Sequence, residues 1–314
     1  MIKTPVCEML GIKYPLLQGG MAHISDARLA AAVSNGGGLG IISAASGNVE
    51  ELEKQIDLAF SLTDKPFGVN IMLRGNNIPE IAEILARKKV AVVTTGAGNP
   101  EEYIPMWKEA GIKVIPVVAS VALARLVERS GADAIIAEGG ESGGHVGDLT
   151  TMALIPQVVD RVSIPVIAAG GIADGRGVAA ALMLGAAGVQ LGTRFLAATE
   201  CNISRTYKDK VLKANDISTI VTGKRLGHPV RSIKTTFSRA YAKAEYTQIS
   251  DEELENMAVG TLRAAVVDGD EKKGCFLAGQ ISGMVNREQT AAEMTEEIFT
   301  EAEAILKGAA KWVK

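Results

Sequence analysis

"PVIAAGGIADGRGVAAALMLGAAGVQLGTRF", residues 165–195, decides the fold. It opens on a continuous apolar run, PVIAAGG (165–171), and passes through a glycine-rich loop into a segment that reads as a helix starting near Asp174. A second run, VQLGTRF (189–195), closes the stretch. Apolar runs without alternation suit parallel strands that are covered on both faces. Six more such runs lie upstream: YPLLQGG (14–20), LGIIS (39–43), FGVNIM (67–72), AVVTTG (91–96), KVIPVV (113–118) and AIIAEG (134–139). The segments between them, such as DARLAAAVSNGGG and VEELEKQIDLAFSLTD, are amphipathic and end in glycine or polar breakers, so they read as helices. Eight strand–helix units predict a (β/α)8 barrel. An open doubly wound sheet fits less well, because it needs a reversal of strand order that the pattern does not display.

After the eighth strand the pattern changes. The expected division is a barrel over residues 1–202, a small lid or second domain over 203–288, and a C-terminal helix over 289–314 that packs back on the barrel. The lid reads as alternating helical and loop-like pieces, and TAAEMTEEIFTEAEAILKGAAKWV (290–313) reads as the closing helix.

Composition narrows the function classes. The chain has 314 residues, 47% of them hydrophobic, and a formal net charge of −3, enough apolar material for a large core. No strongly basic face is implied, so no nucleic-acid partner is expected. Cys7, Cys201 and Cys275 form no CxxC pair, so neither a metal site nor a disulfide framework is expected. No run reaches the ~18 apolar residues of a membrane span, and the N-terminus lacks a secretory apolar core. A cytoplasmic protein without membrane contact is the expectation.

The strand ends carry the candidate chemistry, because barrel active sites form at the C-terminal ends of strands and phosphate often binds after the last two. Gly170 and Gly171 follow the seventh strand, and Gly192 and Thr193 lie in the eighth. Glycines there let a phosphate oxygen approach the backbone, and a helix starting near Asp174 adds its positive end; the same glycines also suit plain tight turns. GRGVAA (175–180) matches a relaxed dinucleotide fingerprint, but it lies late in the chain with only Glu200 as a loose acidic partner, so no such site is expected. No P-loop motif is present. Gly19 and Gly20 open room for a flat ring that Met21 could edge. Asn70 offers a donor and an acceptor to a heterocycle, or else bonds its own backbone.

YPLLQGGMA (14–22), KPFGVNIM (65–72), VVTTGAGNP (92–100), GADAIIAEG with GGHVG (131–147), IPVIAAGGIADG (164–175) and GTRF (192–195) together resemble the FMN-dependent barrel superfamily that includes the nitronate monooxygenases. GHPVRSIK (227–234) and AGQISGMV (278–285) make the chain more similar to the bacterial flavin-dependent enoyl-acyl-carrier-protein reductases. The likeness runs over essentially the whole chain. It implies FMN with its phosphate at Gly171, Gly192 and Thr193, beside Gly170, and its ring near Gly20, Met21 and Asn70, beside Gly19. It also implies cofactor contacts at Thr95, Glu138, Gly144, Gln190 and Gln280. NADH or NADPH would reduce the flavin, which would pass hydride from N5 to the β-carbon of a trans-2-enoyl thioester. A homodimer is implied as well. The alternative within the superfamily is oxidation of alkyl nitronates.

His145 stands in AEGGESGGHVGD (137–148), among five glycines, beyond a strand end on the active face. Glycine leaves space there for a planar cofactor and substrate, and an imidazole with a reference pKa of about 6.5 can supply a proton near neutrality. The resemblance likewise assigns this histidine to the active site, so His145 is the expected catalytic residue. His23 reads as a structural loop histidine or else one near the flavin edge, and Arg231, close to His228, reads equally as a contact to substrate or the carrier's phosphopantetheine and as part of a solvated surface pair. Between Arg205 and Lys243 there are ten Lys or Arg against two acids, Asp209 and Asp216. A basic lid of that kind would steer an acidic acyl carrier protein toward the mouth; a solvated helical face would show the same count.

Overall fold

The computed structural model describes residues 1–45 and 48–312. Its strands in chain order are β1 Leu16–Gln18, β2 Gly40–Ser43, β3 Phe67–Met72, β4 Val92–Gly96, β5 Lys113–Val118, β6 Ile135–Glu138, β7 Gly144–His145, β8 Val166–Ala169, β9 Gly188–Leu191, β10 Thr219–Thr222 and β11 Val230–Ile233. Eight of them form one parallel sheet in the order β1-β9-β8-β6-β5-β4-β3-β2. The sheet closes on itself where β1 meets the start of β2. Leu39 N donates to Leu16 O at 2.8 Å, and Gln18 N donates to Leu39 O at 2.9 Å. The (β/α)8 barrel is therefore the fold.

Two packed layers explain the unbroken apolar strands. Leu17, Ile41, Val92, Ile115, Ile136 and Ile167 fill the barrel interior. The alternate residues face outward: Ile42, Val69, Val93 and Val114 meet Leu52, Ile56, Leu85 and Trp107 of the surrounding helices. Ile135, Val166 and Val189 do the same on the other side, against Val127, Leu154 and Val178. Because both faces are buried, most positions on either face are apolar, and the period of two fades from the sequence; the polar exceptions, Gln18, Asn70, Thr94, Thr95, Glu138 and Gln190, lie toward the strand ends.

Three expectations need correction. The seventh barrel strand ends at Ala169, because Gly170 (φ +88°) and Gly171 (φ +69°) turn the chain through the left-handed region. The eighth ends at Leu191, and Thr193–Ala197 is a 3₁₀ turn that places Thr193 on a helical rather than an extended backbone. The tail is not only helices and loops: β10 and β11 pair antiparallel, and β11 pairs antiparallel with β7. Those strands are short and only partly buried, so their sequences carry little apolar signal.

GRGVAA lies inside the helix Gly175–Met183, whose first turn is capped by the Asp174 carboxylate accepting from Arg176 N and Gly177 N. The C-terminal helix Ala291–Gly308 opens with a capping box between Thr290 and Glu293 and continues as a 3₁₀ turn through Trp312. Residues 313 and 314 of the expected closing segment lie outside the described residues.

Candidate active site

The chain leaves β1 through Gly19, Gly20 and Met21, and side chains beneath hold that turn. Gln18 Nε2 donates to Ser25 Oγ at 2.8 Å and to Gly19 O, its Oε1 accepts from Ile41 N at 3.1 Å, and Met21 N donates to Ser25 Oγ at 2.8 Å. Around this turn the structure gathers residues from three strands. A Cβ on Gly20 would lie 2.4 Å from Asn70 Cβ, so no other residue fits there without displacing Asn70. A Cβ on Gly19 would lie 3.6 Å from Gln190 Cδ and 3.6 Å from Gly192 Cα. Met21 Sδ stands 3.7 Å from the Cβ position of Gly192. Gly19, Gly20, Met21, Asn70, Gln190 and Gly192 thus share one mouth.

Asn70 faces Thr94 across the β3–β4 register, and its Oδ1 accepts from Thr94 Oγ1 at 2.9 Å. The acceptor is spent inside the barrel, and Nδ2 meets no acceptor among the described residues. Thr94 was the residue the sequence reading missed, by one position. Successive strand side chains point to opposite faces, so Thr95 faces outward with Val93. It is fully buried there, and its Oγ1 has no partner among the described residues. The parity of β4 against Asn70 is the signal that could have found Thr94.

Across the mouth, the backbone N–H groups of Gly170, Gly171, Gly192 and Thr193 meet no acceptor among the described residues. Four unpaired amides on two adjacent glycine turns form an anion cradle. The Thr193 hydroxyl accepts from Gly279 N at 2.8 Å, which brings the tail segment 278–280 against the mouth. Glu141 braces the cradle from behind: its carboxylate accepts from Thr151 N (2.9 and 3.0 Å) and lies within hydrogen-bond distance of Thr151 Oγ1. FMN fits this donor set. The cradle suits a phosphate, the Asn70 amide offers one N–H to a ring carbonyl, and Gly19 and Gly20 leave a flat floor.

Glu138 ends β6 with the parity of Ile136, so its carboxyl points into the barrel. Burial pushes its pKa up to about 7, and the neighbouring Ser142 hydroxyl opposes that only in part. Ser142 Oγ is itself buried, without a hydrogen bond of normal geometry among the described residues.

His145 lies in β7 rather than in a free loop. Val230 of β11 is its register partner, and Gly144 (φ +79°) pairs with Arg231. Neighbouring groups crowd the imidazole and hold its pKa below the ordinary 6.5, first by desolvation and then through its proximity to His228 and Arg74. Gln280 joins this edge through its backbone, Gln280 N donating to Glu141 O at 2.9 Å. Its exposed side chain lines a small cavity with Lys224 and Arg231. The Arg231 guanidinium donates to Gly140 O. A larger cavity, lined by Arg28, Cys201, Lys208 and Glu288, lies apart from all of these groups. Convergence of free donors marks the site; size does not.

The basic count of the tail is partly spent on ion pairs. Arg205 and Lys208 meet Glu288, Lys210 meets Glu271, and Arg225 meets Asp251, all acids outside the counted stretch. Lys213, Lys224, Arg239 and Lys243 are exposed and have no ion pair among the described residues.

The nitronate monooxygenase family model matches residues 3–84 and 76–301. Among solved structures, FabK from Thermotoga maritima superposes with a TM-score of 0.97 at 47% identity, covering 100% of both chains. A Mycobacterium tuberculosis protein named (3aS,4S,5R,7aS)-5-hydroxy-7a-methyl-1-oxo-octahydro-1H-indene-4-carboxyl-CoA dehydrogenase is 35% identical over 100% of this chain and 99% of its own. A probable nitronate monooxygenase of Staphylococcus aureus is 35% identical over 88% of this chain and 91% of its own.

Proposed function

The chain belongs to the nitronate monooxygenase family, and from that premise we propose that it reduces trans-2-enoyl thioesters carried on acyl carrier protein. The observation that carries this reading is the mouth itself: free amides of Gly170, Gly171, Gly192 and Thr193, a free Asn70 N–H, and His145 on the strand that edges the same opening. The full-length likeness to FabK, a flavin enoyl reductase by type, favours reduction over nitronate oxidation. The relative named for a carboxyl-CoA substrate supports a thioester.

FMN, when bound, supplies two-electron transfer between NADH or NADPH and the enoyl double bond. The residues of this chain do the rest. Gly170, Gly171, Gly192 and Thr193 hold the phosphate, Asn70 and Gln190 fix the ring edge, and Glu138 faces the ring as a largely neutral carboxyl below pH 7. Thr95, behind the strand, contributes through its backbone; Gly144 lets the chain bend before His145, and Gln280 closes the rim. His145 donates the proton that the substrate α-carbon needs. Desolvation first, and then His228 and Arg74, disfavour the charged imidazole in the free protein. Residues 203–288 act as the lid, and their unpaired Lys213, Lys224, Arg239 and Lys243 attract an acidic carrier. The protein works as a cytoplasmic homodimer.

One preparation tests the reading against its alternative. FMN-loaded protein with NAD(P)H should consume reductant when crotonyl thioester is added, and His145→Ala should lower that rate by ~10²–10⁴ with FMN still bound. Oxygen uptake with an alkyl nitronate, without thioester reduction, would establish the monooxygenase instead.

A further inference from the structure

No side chain among the described residues bonds the His145 imidazole, so its place is set through its backbone alone. That backbone belongs to two units at once. The segment leaves the barrel at Glu138, yet Gly144 and His145 form the third strand of the small sheet, and Val146 N donates to Pro229 O at 3.0 Å. Gly143 is pressed against the tail, with its Cβ position 2.7 Å from the Ala278 carbonyl carbon. One side chain ties the two units together. Arg231 pairs with Gly144 through its backbone, while its guanidinium reaches back over the loop. Nη2 and Nε donate to Gly140 O at 2.9 and 3.3 Å, and Nη1 donates to Thr219 Oγ1 of β10 at 3.3 Å. Gly140 N is held in turn by Leu149 O at 2.8 Å.

We infer that Arg231 is the positioning residue for His145: its forked guanidinium locks the root of the histidine segment to the β10–β11 hairpin. A fork is required because three N–H groups in one plane serve two acceptors on different elements; a lysine ammonium meets one of them. The role is indirect, since the three N–H groups bonded here serve protein acceptors. This inference rests on the role proposed for His145.

The chain has three histidines, so ring carbon–proton spectra of the FMN-loaded protein resolve each one. In Arg231→Ala the His145 resonance should shift or broaden while that of His23, in the turn after β1, stays in place. Reduction of thioester by the prereduced protein should slow about 10- to 100-fold, whereas reduction of bound FMN by NAD(P)H should keep its rate. Arg231→Lys, which retains one donor and safeguards against loss of the fold, should fall between. An unmoved His145 resonance with an undiminished thioester rate overturns the inference, and so does equal slowing of both half-reactions, which is the mark of general damage. If His145→Ala itself leaves thioester reduction intact, the proposed function of the histidine fails, while the spectra still report on the clamp.

Discussion

Asn70 uses its oxygen within the barrel and keeps its nitrogen for the mouth, and Thr94, one strand away, is what makes that division. Glu138 shows the opposite economy: nothing positive lies beside it, and burial alone holds its pKa near 7 against an ordinary 4.5. A raised carboxyl pKa means that the folded state holds more protons than the unfolded one between roughly pH 4.5 and 7, so stability falls as pH rises through that window. Glu138→Gln removes the titration. The variant should therefore gain stability over the wild type from pH 5 to pH 8, by up to about 3 kcal/mol, in denaturant unfolding without FMN. A constant difference across that range would show that Glu138 is not desolvated. The glycines, His145 and Asn70 were legible as candidates because their types are unusual at strand ends. Thr94 was not, because choosing between two adjacent threonines needs the strand's parity. For Arg231 the sequence leaves a ligand contact and a surface pair equally open, because its partner Gly140 lies ninety-one residues away and meets it only in the fold.

The barrel strands were readable for a physical reason that the tail strands lack. Burial on both faces leaves continuous apolar runs such as Val166–Ala169, whereas β10 (TIVT) and β11 (VRSI) are partly exposed and hard to tell from loop. Strand ends were overrun at Gly170, where the backbone turns left-handed, and at Gly192, where it turns into the 3₁₀ segment Thr193–Ala197. The C-terminal helix was legible from its capping box and amphipathic pattern, but its seat was not. It lies on the start of the helix Gly175–Met183: a Cβ on Gly175 would stand 2.4 Å from Ala302 N, and Gly175 N donates to Glu301 Oε2 at 2.8 Å. Gly175→Ala should therefore destabilise the protein by about 1–3 kcal/mol through overpacking, despite the higher helix propensity of alanine. The midpoint of denaturant unfolding checks this, and an unchanged or raised midpoint would mean the two helices can separate at no cost.

At the scale of the molecule, closure of the sheet and the return of the tail are what make one site from distant segments. Closure between β1 and β2 brings residues 19–21 beside Asn70 and Gln190, and β11 draws His145 into the small sheet. The surplus of positive charge in the tail reads differently in three dimensions, because acids from residues 251, 271 and 288 answer part of it. No helix among the described residues is long and apolar enough to cross a membrane. We propose that this assembled mouth seats a flavin with its phosphate on the two glycine turns and its ring on the floor at Gly20, edged by Asn70. A crystal structure of the FMN-loaded protein measures that directly. Phosphate oxygens should lie within hydrogen-bond distance of Gly171 N and Gly192 N, a ring carbonyl should accept from Asn70 Nδ2, and the His145 imidazole should face the ring. A flavin bound elsewhere, or one seated here with His145 turned away from it, would rule this arrangement out.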